Sequence, residues 1–372
     1  MQILSVFGTR PEAIKMAPLI TSLASKQGVS SYVCVTAQHR DMLDQVLNLF
    51  SIRPDFDLNI MRDNQDLSYI TNAVLEGMGN ILDKLKPDRV LVHGDTTTTF
   101  AASLASYYKK IPVAHIEAGL RTGNNYSPYP EEVNRRITDV IANIFFAPTE
   151  TARKNLIAEG INSNDIFVTG NTVIDALISA TKMLKDDVKL RKTYEEYFHF
   201  LNPKKRLILV TGHRRENFGA GFSAICSALA SLSKRDDIDI VYPVHLNPNV
   251  RKLVHKTLGD KTNIHLIEPL DYLPFVFLME RCHIVLTDSG GIQEEAPSLG
   301  KPVLVMRDVT ERPEAVIAGT VKLVGANASN IIDECTSLLD DASAYNVMSQ
   351  AHNPYGDGNS SIRIKKIIDE YI

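Results

Sequence analysis

Residues 89–117 contain two short apolar segments, 89–93 and 112–117, which are separated by a segment of helical length at 97–108. A strand, helix and strand of this size form a right-handed unit with parallel strands, so both strands end at the same edge of one sheet. Each strand leads into a carboxylate, Asp95 after the first and Glu117 after the second. Open α/β sheets bind ligands at this carboxyl edge, so the pattern predicts an enzyme with acid and base groups directed into a cleft.

Strand-like and helix-like segments alternate in two series along the chain, which predicts an α/β protein with doubly wound parallel sheets. A chain of 372 residues exceeds the roughly 250 to 300 residues at which a single core stops growing, so we expect two domains. We place the first domain at 1–172 and the second at 173–360, followed by a final helix at 361–372. The expected strands are residues 2–7, 32–36, 89–93, 112–117, 144–147 and 166–169, then 206–211, 239–243, 264–267, 284–287 and 302–306.

The composition argues against several classes of protein. The net charge is -4 and the lysines and arginines are scattered, so nothing indicates a nucleic-acid partner. The four cysteines lie far apart without a CxxC pair, which predicts reduced, buried thiols and a cytoplasmic location. The chain begins without a basic leader and contains no run of about 18 apolar residues, so we expect neither export nor a membrane span.

The segment 8–15, Gly-Thr-Arg-Pro-Glu-Ala-Ile-Lys, connects the first strand to a helix. Pro11 suits the first helical position, and Glu12 complements the positive end of the helix dipole. Arg10 and Lys15 would then stand at the mouth of the cleft, where they could hold phosphate or offset an acidic group. Alternatively, Arg10 and Glu12 form only a cap and a surface pair. A dinucleotide site is disfavoured because GxGxxG is missing after this strand.

The two carboxylates at the sheet edge have structural alternatives. Asp95 or Thr96 could cap the helix that follows. Glu117 follows an apolar strand, and leaving its charge unpaired there would be costly, so it either pairs with Arg121 or Arg10 or acts on substrate.

A third carboxylate, Glu131, opens a helix soon after the Glu117 segment. Its spacing from Arg135, like that of Glu132 from Arg136, also fits an ordinary solvated ion-pair face. The position of this helix beyond the Glu117 edge favours convergence of three carboxylates.

The second domain contains two candidate anion sites. His213, Arg214 and Arg215 follow a strand and are equally compatible with a phosphate site and a surface face. The segment 289–291, Ser-Gly-Gly, lies between a strand and a helix, where small residues let backbone N–H groups approach a diphosphate. Glu295 could accept hydrogen bonds from a ribose diol. An ordinary tight turn is the less favoured alternative.

In these motifs the chain resembles the non-hydrolysing UDP-N-acetylglucosamine 2-epimerases, and the resemblance extends over nearly the whole sequence. The matching segments, in family order, are Gly8-Thr-Arg-Pro-Glu-Ala-Ile-Lys15, Gln38-His-Arg40, His93-Gly-Asp-Thr96, His115-Ile-Glu-Ala-Gly-Leu-Arg121, Pro130-Glu-Glu-Val-Asn-Arg135, Gly212-His-Arg-Arg-Glu-Asn217, Pro243-Val-His-Leu-Asn-Pro248, Asp288-Ser-Gly-Gly-Ile-Gln-Glu-Glu295 and Glu311-Arg-Pro-Glu314.

The resemblance implies a GT-B-like fold, in which two Rossmann-like domains face each other across a cleft and the helix at 361–372 returns to the N-terminal domain. It implies interconversion of UDP-GlcNAc and UDP-ManNAc for surface polysaccharide synthesis, usually by a homodimer without a cofactor or metal. The implied reaction site comprises Arg10, Lys15, Asp95, Glu117, Glu131 and His213, supported by Arg135. The residues implied to contact UDP or to line the path by which it enters are His245, Phe275, Ser289, Gly290, Gly291, Glu295 and Arg312. A second, regulatory UDP-GlcNAc is bound by some relatives near positions matching Gln38, Arg214 and His245.

The chemistry of the sugar limits the possible mechanisms. Its C2 hydrogen is not next to a carbonyl, so direct deprotonation meets a high barrier, and the fingerprint of a nicotinamide route is missing. We therefore hypothesise that UDP is eliminated across C1 and C2 to give bound 2-acetamidoglucal and then adds back. Glu131 and Asp95 are the expected proton-transferring groups, and Glu117 orients the sugar or is the second acid. The expected diphosphate-stabilising groups are His213, Arg10 and Lys15.

Three alternatives share parts of this pattern. A hydrolysing epimerase would release free ManNAc and UDP, and a GT-B glycosyltransferase would need an acceptor. A non-catalytic nucleotide-sugar sensor would bind without turnover.

Overall fold

The computed structural model describes residues 1–38, 40–212, 214 and 217–371, apart from the side chain of Asn249. The chain forms two compact units. The first unit consists of Met1–Ala176 and the C-terminal segment from Tyr355, and the second consists of Leu177–Pro354. The sequence-based boundaries were placed at 172/173 and 360/361.

The first unit contains one parallel sheet of seven strands in the order β3-β2-β1-β4-β5-β6-β7. The strands are β1 Gln2–Phe7, β2 Ser30–Val35, β3 Phe56–Asp57, β4 Arg89–His93, β5 Val113–Ile116, β6 Ile144–Ala147 and β7 Ile166–Val168. The helices are α1 Arg10–Ala24, α2 Arg40–Leu49, α3 Leu67–Leu85, α4 Thr97–Tyr108, α5 Glu131–Ile141, α6 Glu150–Ala158 and α7 Thr172–Asp186, within which the unit ends. The order in which strands are added reverses between β1 and β4, and this switch point is where such sheets bind ligands.

The second unit repeats this plan with six strands in the order β10-β9-β8-β11-β12-β13. The strands are β8 Arg206–Thr211, β9 Ile238–Pro243, β10 Ile264–Ile267, β11 Ile284–Thr287, β12 Val303–Val305 and β13 Val321–Leu323. The helices are α8 Val188–Tyr197, α9 Ala220–Leu232, α10 Pro248–Leu258, α11 Tyr272–Arg281, α12 Gly290–Glu295, α13 Pro313–Ala318, α14 Ala328–Asp340 and α15 Ala342–Ser349. Its switch point lies between β8 and β11.

Burial explains why the central strands appear as continuous apolar runs. Every residue of β4 is buried, as is every residue of β11, because helices cover both faces of a parallel sheet. The predicted α/β class with two parallel Rossmann-like sheets is confirmed. Two short strands, β3 and β13, were not predicted. Glu117 follows β5 in a left-handed conformation and so lies outside the strand that was expected to include it.

The last helix, α16 Ser360–Tyr371, belongs to the first unit and packs against α1, so the predicted return of the C-terminus is confirmed. Ile364 and Ile368 are fully buried on its inner face. The start of α16 is held by the buried carboxylate of Asp175, which accepts hydrogen bonds from the backbone N–H groups of Ser360 at 3.2 Å and Ser361 at 2.7 Å. An acidic partner at a helix N-terminus is favourable because it satisfies unpaired N–H groups.

Within the described ranges, none of the helices combines the length and the apolar composition that a membrane crossing requires.

Candidate active site

Three loops meet at the switch point of the first sheet, after β1, β4 and β5. The first of them is shaped by Glu12, which is buried rather than part of a surface pair. Its carboxylate accepts hydrogen bonds from the N–H groups of Gly8 (3.0 Å) and Thr9 (2.8 Å) and from the hydroxyls of Thr96 (2.6 Å) and Thr99 (3.1 Å). Burial raises the pKa of Glu12, although these hydrogen bonds oppose the increase. Glu12 therefore ties the start of α1 to the start of α4.

Lys15 lies one turn into α1 and forms a buried ion pair with Oε2 of Glu117. The same carboxylate oxygen accepts a hydrogen bond from Nδ2 of Asn171 at 2.8 Å. Glu117 has φ +65, a left-handed conformation that is strained for a residue with a side chain and that occurs preferentially at functional sites. Glu117 thus pairs with Lys15, a cation that was not among the partners weighed from the sequence. Arg121 instead bonds Asp139 at 2.7 Å.

Asp95 is held by α5. Its carboxylate forms an ion pair with Arg135, whose Nε lies 3.1 Å from Oδ2, and its backbone carbonyl accepts a hydrogen bond from Nδ2 of Asn134 at 3.0 Å. Arg135 also bonds the fully buried Glu132 at 3.2 Å. Of the two residues weighed as the cap of α4, Thr96 supplies it by accepting from the N–H of Thr99 at 3.1 Å.

Glu131 is the first residue of α5 and is half-buried. Because Asn134 and Arg135 of this helix contact Asp95, the start of α5 is drawn to the same sheet edge. Glu117 also approaches the β4 loop, since a Cβ atom built on Gly94 would lie 3.6 Å from its Oε1. Arg10 begins α1 at this edge and is half-buried.

His93, at the end of β4, was not among the predicted site residues. It is buried, and its Nε2 lies 4.0 Å from Oε2 of Glu117. Neither ring nitrogen has a hydrogen-bond partner among the residues that the structure describes. Burial lowers the pKa of His93 to about 3, despite the opposing charge of Glu117. His93 is therefore neutral near pH 7.

The switch point of the second unit also carries polar side chains. The hydroxyls of Thr211 and Thr287, at the ends of β8 and β11, lie 2.6 Å apart. The buried Asp288, directly after β11, accepts a hydrogen bond from the backbone N–H of Arg214 at 2.8 Å. His213, which we expected in the reaction site, lies outside the described residues, as does Arg215.

The Ser-Gly-Gly segment after β11 has the predicted form, with Ser289 as the N-cap of the short helix α12 and Gly290 and Gly291 as its first residues. Arg312 approaches this segment, because a Cβ atom on Gly290 would lie 3.8 Å from the guanidinium. Arg312 is itself oriented by an ion pair with the buried Glu294.

Glu295, at the end of α12, is buried, and its Oε1 accepts a hydrogen bond from the hydroxyl of Tyr272 at 2.7 Å. Tyr272 was not predicted, and only its position at the start of α11 would have indicated it. Phe275 lies one turn further along α11 and is half-buried. His245 follows β9, is exposed, and accepts at Nδ1 from the N–H of Asn247 at 3.1 Å.

Gln38, the predicted regulatory residue of the first unit, follows β2. Its side-chain oxygen accepts a hydrogen bond from Thr98 at 3.4 Å, and its backbone carbonyl accepts one from Gln65 at 2.9 Å. In the part of the chain that is described, no group of three or more His, Cys, Asp or Glu side chains is placed to hold a metal ion.

A family model described as UDP-N-acetylglucosamine 2-epimerase matches residues 21–369 of the chain. The chain belongs to this epimerase family. The resemblance inferred from the motifs is thereby confirmed. A UDP-N-acetylglucosamine 2-epimerase of Escherichia coli K12 is 60% identical over 365 residues, covering 98% of this chain and 97% of the relative. A probable UDP-N-acetylglucosamine 2-epimerase of Ralstonia solanacearum is 60% identical over 371 residues, covering 100% and 99%.

A solved structure from the same epimerase family shares the fold. The UDP-GlcNAc 2-epimerase of Neisseria meningitidis, in a crystal structure bound to UDP-GlcNAc, is 56% identical. The match covers 100% of both chains with a TM-score of 0.94.

Proposed function

We propose that the protein interconverts UDP-GlcNAc and UDP-ManNAc by inverting C2 of the sugar. The observation that carries the proposal is the arrangement at the switch point of the first sheet, where Asp95 and Glu117 are each held by a buried cation. Membership in a family whose relatives are named for this reaction supports the choice of substrate.

The proposed reaction proceeds by elimination and readdition. A carboxylate takes the proton from C2 while the bond from C1 to the UDP oxygen breaks, which leaves 2-acetamidoglucal and UDP bound. The UDP oxygen then attacks C1 as a proton is delivered to the opposite face of C2. Correctly positioned acid and base groups contribute about 10²- to 10⁴-fold each to such a step.

We assign proton transfer to Asp95 and Glu131, with Glu117 orienting the sugar or serving as the second acid. The ion pair between Lys15 and Glu117 refines the role expected of Lys15, because a lysine held by a carboxylate orients that carboxylate besides offering charge to the diphosphate. Arg10 and His213 complete the proposed set of cations, the latter on the basis of the family resemblance.

The second unit is the proposed UDP-binding unit. The N–H groups of Gly290 and Gly291, with the hydroxyl of Ser289 and the guanidinium of Arg312, suit a diphosphate because all of them donate hydrogen bonds. Glu295 suits the ribose diol, and its orientation by Tyr272 supports this assignment. Phe275 and His245 are the remaining residues proposed to contact UDP or to line the path by which it enters.

Incubation of the purified protein with UDP-GlcNAc alone tests the proposed activity. We expect UDP-ManNAc to appear without an acceptor and without accumulation of free ManNAc or UDP. Release of ManNAc and UDP would indicate a hydrolysing enzyme, and binding without any product would indicate a sensor. Substrate labelled with ¹⁸O at the bridging C1 oxygen tests the elimination, because C1–O cleavage must move the label to non-bridging positions of the β-phosphate.

We further propose a regulatory site for a second UDP-GlcNAc that uses Gln38, Arg214 and His245, on the strength of the family resemblance. A lag in a reaction started from UDP-ManNAc alone, abolished by traces of UDP-GlcNAc, is the expected signature. Linear progress from the first turnover would contradict this site.

The proposed assembly is a homodimer. Large apolar side chains are exposed on the neighbouring helices α4 and α5, namely Tyr107, Tyr108 and Val140, which supports burial against a second copy. Light scattering is expected to give twice the chain mass, and the mass of one chain would contradict the dimer.

The proposed setting is the cytoplasm, where the product would supply ManNAc units for a surface polysaccharide. All four cysteines are buried, free thiols, which suits a reducing compartment.

A further inference from the structure

His115 lies within β5 and is completely buried, yet both of its ring nitrogens are hydrogen-bonded. Nδ1 lies 2.6 Å from Oδ1 of Asp139 on α5. Nε2 lies 2.7 Å from the carbonyl oxygen of Gly94, the residue before Asp95. This imidazole therefore connects three parts of the sheet edge: β5, α5 and the loop that follows β4.

The partners of His115 determine where its protons lie. A backbone carbonyl only accepts hydrogen bonds, so Nε2 must donate to Gly94. Burial of Asp139 opposes its ionisation, but the charges and hydrogen bonds of His115 and Arg121 lower its pKa below the ordinary value. The Asp139 carboxylate is thus also an acceptor, and Nδ1 must donate to it. Both hydrogen bonds are made at once only when both ring nitrogens of His115 carry a proton.

Both backbone polar groups of Gly94 are hydrogen-bonded to β5. Its N–H donates to the carbonyl of Ile116 at 2.8 Å, and its carbonyl accepts from His115. Gly94 has φ +67, a conformation that suits glycine and that turns the chain sharply at the end of β4. The direction in which Asp95 leaves the strand is set by this turn.

Asp139 is itself anchored on its far side. Its Oδ2 accepts a hydrogen bond from Arg121 at 2.7 Å, and Arg121 makes two further bonds to Glu159, at 2.8 and 2.7 Å. Glu159 is the C-cap of α6, so the chain of contacts ends on a separate helix of the same unit. The buried part of this network, His115 and Asp139, is fully hydrogen-bonded, which rigidifies the groups that it holds.

We propose that His115, oriented by Asp139, is a positioning residue that fixes the Gly94 peptide and thereby aims the Asp95 carboxylate at its substrate. This role rests on the proposed catalytic function of Asp95. Loss of the bond to His115 leaves the Gly94 carbonyl without its donor, while the ion pair with Arg135 still holds the Asp95 carboxylate.

Two substitutions separate the two bonds of His115. The amide nitrogen of glutamine reaches the place of Nε2, so His115→Gln retains a donor to Gly94. The amide of asparagine reaches only the place of Nδ1, so His115→Asn retains the contact with Asp139 and loses the one with Gly94. Small misplacements of a reacting group cost about 10²-fold in rate, so we expect kcat to fall about 100-fold in His115→Asn. In His115→Gln we expect kcat to fall by no more than about tenfold. KM for UDP-GlcNAc is expected to stay within about threefold of the wild-type value in both, since no contact with UDP is removed.

Equal kcat in the two variants would overturn the proposal, because a purely structural histidine does not distinguish its two bonds in this way. Asp95→Asn is measured alongside. Wild-type turnover in that variant would remove Asp95 from the reaction and so contradict the proposed function, whereas a slow Asp95→Asn with equally active His115 variants would contradict only the positioning role. Nitrogen-15 NMR of the wild-type protein provides a readout that does not depend on the variants folding well. Nε2 of His115 is expected to carry a proton that is hydrogen-bonded to the Gly94 carbonyl, and an unprotonated Nε2 would overturn the inference.

Discussion

Acidification from pH 7 to pH 5 is expected to destabilise the protein through His93, which is buried in its neutral form. Burial lowers the pKa of His93 from 6.5 to about 3 in the folded protein. A base with a lowered folded-state pKa contributes stability that is fully present above its unfolded pKa and is lost as the pH falls from 6.5 towards 3.

The size of the effect follows from the shift. Each unit of pKa difference corresponds to about 1.4 kcal/mol, so the full shift amounts to about 5 kcal/mol. Between pH 7 and pH 5 only the unfolded state takes up the proton, and the expected loss is about 2 kcal/mol.

The measurement is urea unfolding of the wild-type protein and of His93→Gln at pH 7 and pH 5. Circular dichroism is the appropriate probe because the chain has no tryptophan. The variant removes the titrating ring, so its free energy of unfolding should fall by about 2 kcal/mol less than that of the wild type over this pH interval.

Other titrating groups contribute equally to both proteins and cancel in this difference. His352→Gln, at an exposed histidine, is the matched control and should follow the wild type. The same pH dependence in His93→Gln and in the wild type would refute the reasoning, because it would mean that His93 is not held neutral by burial.

Two further predictions concern buried carboxylates. Glu12→Ala leaves the N–H groups of Gly8 and Thr9 without their acceptor, so urea unfolding should show a loss of roughly 2 to 4 kcal/mol, and a loss below about 0.5 kcal/mol would contradict the capping role. Tyr272→Phe removes the hydroxyl that donates to Glu295, so calorimetric titration should show UDP binding weakened about five- to tenfold with the thermal midpoint nearly kept. An unchanged affinity would remove Glu295 from the UDP site.

Sequence patterns predicted the fold well where structure is locally determined. The segments 89–93 and 97–108 form β4 and α4 with the predicted bounds, because a buried parallel strand and a helix each have their own apolar pattern. The strands β3 and β13 have two and three residues, which is too short for any periodicity to appear. Thr9 and Glu12 match the spacing of a capping box, so this part of the site was readable from the sequence.

The partners of the charged residues were not predictable in this way. Lys15 and Glu117 are 102 positions apart, and the sheet brings them together through an order of strands that the local sequence does not specify. The same applies to Asp95 and Arg135, for which the pairing considered from the spacing was a helical ion pair between Arg135 and Glu131. The local sequence thus identifies the carboxylates of the site, whereas the cationic side chains that pair with them are determined by the tertiary structure.

The most direct test of the proposed function is conversion of UDP-GlcNAc as the sole substrate in D₂O, followed by proton NMR of the sugar. Proton transfer through carboxylates that exchange with solvent requires UDP-ManNAc to carry deuterium at C2, and we expect this label in the product from the first turnovers. Formation of UDP-ManNAc that retains protium at C2 would contradict the assignment of Asp95, Glu117 and Glu131 as the groups that move this proton.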